Sequence, residues 1–99
     1  MMWVPAQQLS VYHGDDATLV CVIEAHPEAL VYWEFNGQMV QEGGELQVRR
    51  ISGPPSPKYK TIMKLYIPRV QRHQFGLYAC KAKNPRGETD GLITLSGIK

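Results

Sequence analysis

Cys21 and Cys80 are the only cysteines of this 99-residue chain, and the residues around them restrict its fold more than any other feature. Trp33 follows Cys21 by about a dozen positions, and Tyr78 stands two before Cys80 in the run Gly76-Leu77-Tyr78-Ala79-Cys80. Short alternating segments lie between turn signals that recur every ~8–12 residues, as in an all-β sandwich. Successive side chains of a strand point to opposite faces. The segment Ala17 to Glu24 therefore turns Leu19, Cys21 and Ile23 inward and Thr18, Val20, Val22 and Glu24 outward. Val31, Trp33 and Phe35 point inward on the next strand, with Tyr32, Glu34 and Asn36 on its open face. Further on, Tyr78, Cys80 and Ala82 face in, and Leu77, Ala79, Lys81 and Lys83 face out. Both cysteines, the tryptophan and the tyrosine thus share the interior.

Turn residues punctuate the remainder. His13-Gly14-Asp15-Asp16 and His26-Pro27-Glu28 flank the first long strand, and Asn36-Gly37 suits a tight hairpin because both residues tolerate positive φ. Gln38 to Gln41 is expected to form a short strand and Glu45 to Ile51 another. Tyr59 to Ile67 carries Thr61, Met63, Leu65 and Ile67 inward. Between these lies Ser52-Gly53-Pro54-Pro55-Ser56-Pro57, whose prolines cannot donate to a sheet ladder, so a loop is expected there. Pro68 to Gly76 makes a corner with Val70 in the core, Asn84-Pro85-Arg86-Gly87 a turn, and Glu88 to Ser96 the last strand. Residues 1–99 read as one domain, without internal repeats.

Little in the chain points to chemistry. His13, His26 and His73 fall in three separate turns without metal-ligand spacing, and Asp15-Asp16 lacks the ligand-rich pattern of a calcium loop. No nucleophile stands beside a base, so no enzyme is expected, and no cofactor, metal or small-molecule substrate. The net charge of +2 is small. Lys81, Lys83 and Arg86 form a local basic strip without interleaved aromatic platforms, which argues against nucleic acid. No apolar run is long enough to span a membrane, and Met1-Met2-Trp3-Val4-Pro5 has neither the charged start nor the apolar run of a signal peptide. No Asn-x-Ser/Thr sequon is present.

Two outward faces are candidate protein contacts. Val20, Val22, Ile62 and Tyr66 are expected to form an apolar stripe on one sheet, and exposed apolar stripes often mark contacts. Tyr32 and Lys81, with Glu34, Asn36 and Lys83, give the other sheet a charged face. Periodicity does not choose between them.

The Cys21–Trp33–Tyr78–Cys80 constellation resembles the immunoglobulin superfamily, with Trp33 and Tyr78 as its core signature. The resemblance implies a Greek-key sandwich of two antiparallel sheets and one inter-sheet Cys21–Cys80 disulfide. The spacing between Trp33 and Tyr66 leaves little room for extra middle strands, which favours the intermediate (I-set) type. In the chain-entropy view, closing a loop of about 60 residues contributes roughly 4 kcal/mol. A disulfide implies an oxidising compartment, hence a secreted or cell-surface protein; the alternative is a pair of reduced thiols, as in filament domains of muscle. A disulfide domain without a leader is expected to be a piece of a longer surface protein, with Met1 an added start.

Finer phrases carry a closer resemblance. Trp3-Val4-Pro5, Glu24-Ala25-His26-Pro27, Lys58-Tyr59-Lys60, Phe75 through Cys80, and above all Ala82-Lys83-Asn84 through Gly87-Glu88-Thr89-Asp90-Gly91 resemble the third, membrane-proximal domain of insect Dpr-interacting proteins and lachesin. These are relatives of the IgLON adhesion molecules. The resemblance implies a membrane-anchored neuronal recognition protein whose partners are cell-surface immunoglobulin proteins. Here the domain would be mainly a spacer, monomeric or weakly dimeric in isolation. A direct adhesion module and an intracellular filament domain are the rival expectations. Two residues or segments depart from the family: Gln74 replaces the corner aspartate that would pair with Arg49 or Arg50, and Pro54-Pro55-Ser56-Pro57 is atypical.

Overall fold

A computed structural model describes residues 2–4, 6–25, 27, 29–41, 43, 46–52 and 59–98. Among the described residues, alternation of branched and aromatic residues with polar ones yields nine strands in chain order. They are β1 (Met2–Trp3), β2 (Gln8–Val11), β3 (Ala17–Ala25), β4 (Leu30–Phe35), β5 (Gln38–Met39), β6 (Gln47–Ser52), β7 (Tyr59–Ile67), β8 (Gly76–Asn84) and β9 (Gly87–Gly97). A 3-10 turn, Arg72–Gln74, interrupts the corner before β8. One sheet has the order β1-β3-β7-β6 and the other β2-β9-β8-β4-β5. Pairing is antiparallel between neighbours except that β2 runs parallel to β9. The first segment therefore divides: β1 joins one sheet and β2 the other.

The inward residues of both sheets make one core. Leu19, Cys21, Ile23, Trp33, Leu65, Ile67, Val70, Ile93 and Leu95 are essentially inaccessible to solvent. The Cys21–Cys80 disulfide joins the sheets through this core, with Cα atoms 6.4 Å apart. Trp33 stands opposite Cys80 in the β4–β8 register, which puts the indole beside the bridge. Tight turns follow the special residues: Asn36 and Gly37 both take positive φ, 50° and 83°, between β4 and β5. Gly91 serves space rather than torsion. A Cβ there would lie 2.9 Å from Val4 Cγ1 and 3.1 Å from Met2 Sδ, so its absence lets the first segment cross over β9.

Strand boundaries differ from the sequence expectation mainly at edges. β6 begins at Gln47, and the short strand after Asn36-Gly37 is only Gln38–Met39. β9 is one residue longer at each end than Glu88 to Ser96, because Gly87 pairs with Asn84 of β8 and Gly97 pairs with Val11 of β2. The loop of Pro54-Pro55-Ser56-Pro57 and His26 lie outside the described residues. The molecule measures 44 × 22 × 19 Å.

Candidate interaction surfaces

The corner before β8 is built on Tyr78. Its hydroxyl donates to the Gln74 carbonyl at 2.6 Å, and its ring stacks on Phe35 with centroids 4.4 Å apart. Burial pushes the phenol up to about 12, because the phenolate would lose its hydration inside the sandwich. Gln74, where the family resemblance calls for an aspartate, spends its side-chain oxygen on the Gln71 N–H at 2.8 Å. Arg50 instead donates to the Ala29 carbonyl at 3.5 Å.

Asp16 has a structural role that its place in an exposed turn does not announce. Its carboxylate accepts the Arg69 N–H at 3.0 Å and the Tyr66 hydroxyl at 2.9 Å. The Arg69 N–H, then the Tyr66 hydroxyl, hold this carboxyl below its usual value. Backbone bonds Gly14 N–H to the Val70 carbonyl and Val70 N–H to the Asp15 carbonyl complete the junction. His13 and His73 are exposed turn residues. Among the described residues no group of three or more His, Cys, Asp or Glu could hold a metal ion. Nor is any helix among them long and apolar enough to cross a membrane.

The expected apolar stripe is rearranged by register. Val20, Val22, Ile62 and Tyr66 all project from the outer face of the β1-β3-β7-β6 sheet, but Val22 is only 8% exposed. This corrects the expectation of an open Val22: Trp3 on β1 stands directly opposite it, on the same face. Lys64 separates Ile62 from Tyr66 along β7, and the Tyr66 hydroxyl is engaged by Asp16. What register does produce is a transverse row, Trp3–Val22–Ile62–Ile51, one residue from each of the four strands. Trp3 is 39% and Ile51 50% exposed. A single strand's alternation assigns a residue to a face, not to a neighbour, so sequence reasoning missed Trp3 and Ile51.

The opposite face carries its charges in balance. Tyr32, Lys81 and Asp90 form one row across β4, β8 and β9. Lys81 Nζ lies 3.8 Å from Glu34 and 3.5 Å from Asp90, and Lys83 lies 3.3 Å from Glu88. Glu34, and then Asp90, push the Lys81 ammonium above its ordinary value. Ala79 points outward as expected but is buried between Glu34 and Leu92 of the adjacent strands. At one end of the sandwich a cleft of about 320 Å³ runs between Ala25, Ala29 and the turn at Asn84, whose amide donates to the Pro27 carbonyl at 2.9 Å.

These features define an all-β, disulfide-closed two-sheet sandwich that presents two chemically different faces. The chain belongs to the immunoglobulin domain family, whose model matches residues 2–84. That family and fold are typically non-catalytic. The Zwei Ig domain protein zig-3 of Caenorhabditis elegans is 32% identical over 88% of this chain and 36% of its own length. Human Roundabout homolog 3 is 33% identical over 85% of this chain. The chain thus spans about a third of the first relative, and 5% of the second. Among solved structures, a chain of the complex of Dpr2 Ig1-Ig2 with DIP-Theta Ig1-Ig3 superposes with TM-score 0.92 at 34% identity, covering 99% of this chain and 32% of that one. Titin M4 superposes with TM-score 0.79 at 21% identity over 98% of this chain and 95% of its own, a likeness of fold alone.

Proposed function

We propose that this chain is a non-catalytic extracellular domain of a neuronal cell-surface recognition protein, acting mainly as a membrane-proximal spacer. The observation that carries the reading is the position of the two chain ends. β1 pairs with the Val22–Ile23 end of β3, whereas Gly97 pairs with Val11 beside the turn that starts β3. The chain enters near one pole and leaves near the other of a body 44 Å long, so neighbouring domains would be held apart by that length.

Three observations support the reading. The share of 32% in the Dpr2–DIP-Theta match is what one domain takes of a three-domain chain. The division of the first segment between two sheets and the two-residue β5 suit the intermediate-set type and the Dpr-interacting, lachesin and IgLON group. A closed disulfide fits an oxidising compartment and therefore an extracellular domain; the likeness to the Dpr2–DIP-Theta complex supports a membrane-anchored parent with cell-surface immunoglobulin partners.

The test is made in the parent protein on cells. Replacing this domain by an unrelated disulfide sandwich of equal length should leave partner recognition intact, while deleting it should narrow the gap between adhering membranes by about one domain length. Loss of recognition on replacement would favour the second reading, a direct contact through Val20, Val22, Ile62 and Tyr66 or through Tyr32 and Lys81. Two titratable thiols in the unfolded native-source protein would instead favour a filament domain.

A further inference from the structure

We infer that the outer face of the β1-β3-β7-β6 sheet docks a protein partner with an apolar centre and an acidic rim. The inference deepens the second reading, a direct contact through this sheet face, and does not depend on the spacer role. The apolar centre is matched by the row Trp3–Val22–Ile62–Ile51, which crosses the whole sheet. With strands about 4.8 Å apart, three spacings make a belt of roughly 14 Å between its terminal backbones. Val22 lies covered in the middle, and Trp3 and Ile51 stand exposed at the two ends. Those ends are the edge strands β1 and β6, where charged residues commonly guard against unwanted pairing. Nothing in the core requires a tryptophan and an isoleucine there, because both project away from it.

The charges beside the belt select the partner. Arg49 and Lys64 occupy directly opposite positions on β6 and β7, next to the belt and on the same face. Like charges opposite each other destabilise a sheet, and an acid supplied from outside relieves the repulsion. On the belt's other side Lys60 stands opposite Glu24. Among the described residues, the two flanking rows thus carry Arg49, Lys64 and Lys60 against the one acid Glu24. The other sheet is different: Lys81 and Lys83 are matched there by Glu34, Asp90 and Glu88. The excess of positive charge therefore lies around the apolar belt. A second copy of this face would bring cations against cations, so self-pairing is disfavoured and an acid-fringed partner is favoured. A belt this narrow offers less than the roughly 800 Å² per side of a standard interface, so micromolar or weaker affinity is expected unless a neighbouring domain extends the contact.

The test uses nitrogen-15-labelled protein and two synthetic amphipathic helices, each with a leucine face, one bordered by glutamate and the other by lysine. The glutamate helix should shift the amides around Trp3, Val22, Ile62 and Ile51, and the lysine helix should not. Ile51→Glu and Arg49→Glu should each weaken binding by about tenfold or more without lowering the melting temperature, and Arg49→Glu, which places an acid opposite Lys64, should raise it slightly. Lys81→Glu, on the other sheet, should leave it unaltered. Equal binding of both helices, no binding at millimolar peptide, or shifts confined to the other sheet would overturn the proposal. So would belt shifts produced by raising the concentration of the protein alone, which would make a second copy the occupant. Capture by phosphatidylserine vesicles without binding of the glutamate helix would assign the face to a lipid surface instead.

Discussion

The Tyr66 hydroxyl and the Asp16 carboxylate, fifty residues apart in sequence, meet in a 2.9 Å hydrogen bond that ties the turn before β3 to the end of β7. The other carboxylate oxygen accepts the Arg69 N–H, so one charged group fastens the end of the β3–β7 ladder at which Ala17 faces Ile67. Because the folded carboxyl is depressed below its ordinary 3.8, its contribution to stability is complete above that value and is lost as pH falls through the folded one. Asp16→Asn should therefore lower the melting temperature at neutral pH and flatten the loss of stability in acid. Thermal melts between neutral pH and strong acid will read this directly; an unchanged acid limb would show that other carboxylates govern it.

At the alkaline end Tyr78 sets the slope. Its phenol ionises near 10 in the unfolded chain and at about 12 in the folded one. Stability is full below pH 10 and falls as pH rises toward 12, by about 2–3 kcal/mol across the window. Tyr78→Phe should remove that fall. It should also cost about 1 kcal/mol at neutral pH by losing the bond to the Gln74 carbonyl while keeping the stack on Phe35. Urea titrations of both proteins at pH 7 and above pH 10 measure the two effects separately.

Gly91 tests the crossing of the first segment. Gly91→Ala puts a methyl 2.9 Å from Val4 Cγ1, and overpacking of this kind costs typically 1–3 kcal/mol. Faster amide exchange at Trp3 and Val22 should accompany the loss, because β1 has to move off β3. Val4→Ala in the same chain should recover part of it. Additive effects of the two changes would mean that the contact is not what fixes β1.

Removing the bridge should cost more than any of the three substitutions above. Cys21→Ala together with Cys80→Ala releases a loop with a sequence separation of 59 residues. The expected cost is roughly 4 kcal/mol, less any structure retained in the unfolded chain. Denaturant curves of the double variant and of the oxidised protein will show it, and a difference near zero would require the reduced sandwich to be stable by packing alone.

Long strands were legible because each has a period of its own. Leu19, Cys21 and Ile23, or Thr61 through Ile67, need no partner to reveal which face is buried. Val22 was misread as exposed for the converse reason: its cover is Trp3, and only the pairing of β1 with β3 brings that residue opposite. Ile51 joined the same row by register with Ile62, information absent from either strand alone. The role of Asp16 was hidden in the same way, since its partners lie about fifty residues onward. Gln74 reads from the sequence as unable to form the family's ion pair yet still able to accept a hydrogen bond, and its side-chain oxygen accepts the Gln71 N–H; the identity of that local donor is what the sequence does not disclose.

The division of the first segment between β1 and β2 has a consequence for load. β2 and β9 run parallel through four paired positions, from Gln8 opposite Thr94 to Val11 opposite Gly97. A pull on the two chain ends drags β2 one way and β9 the other, along their common axis. The rungs between them are then strained in shear and must yield together rather than unzip one by one. Under tension applied at both ends, this short parallel ladder therefore resists as a unit, in a way that a ladder pulled open from one end does not.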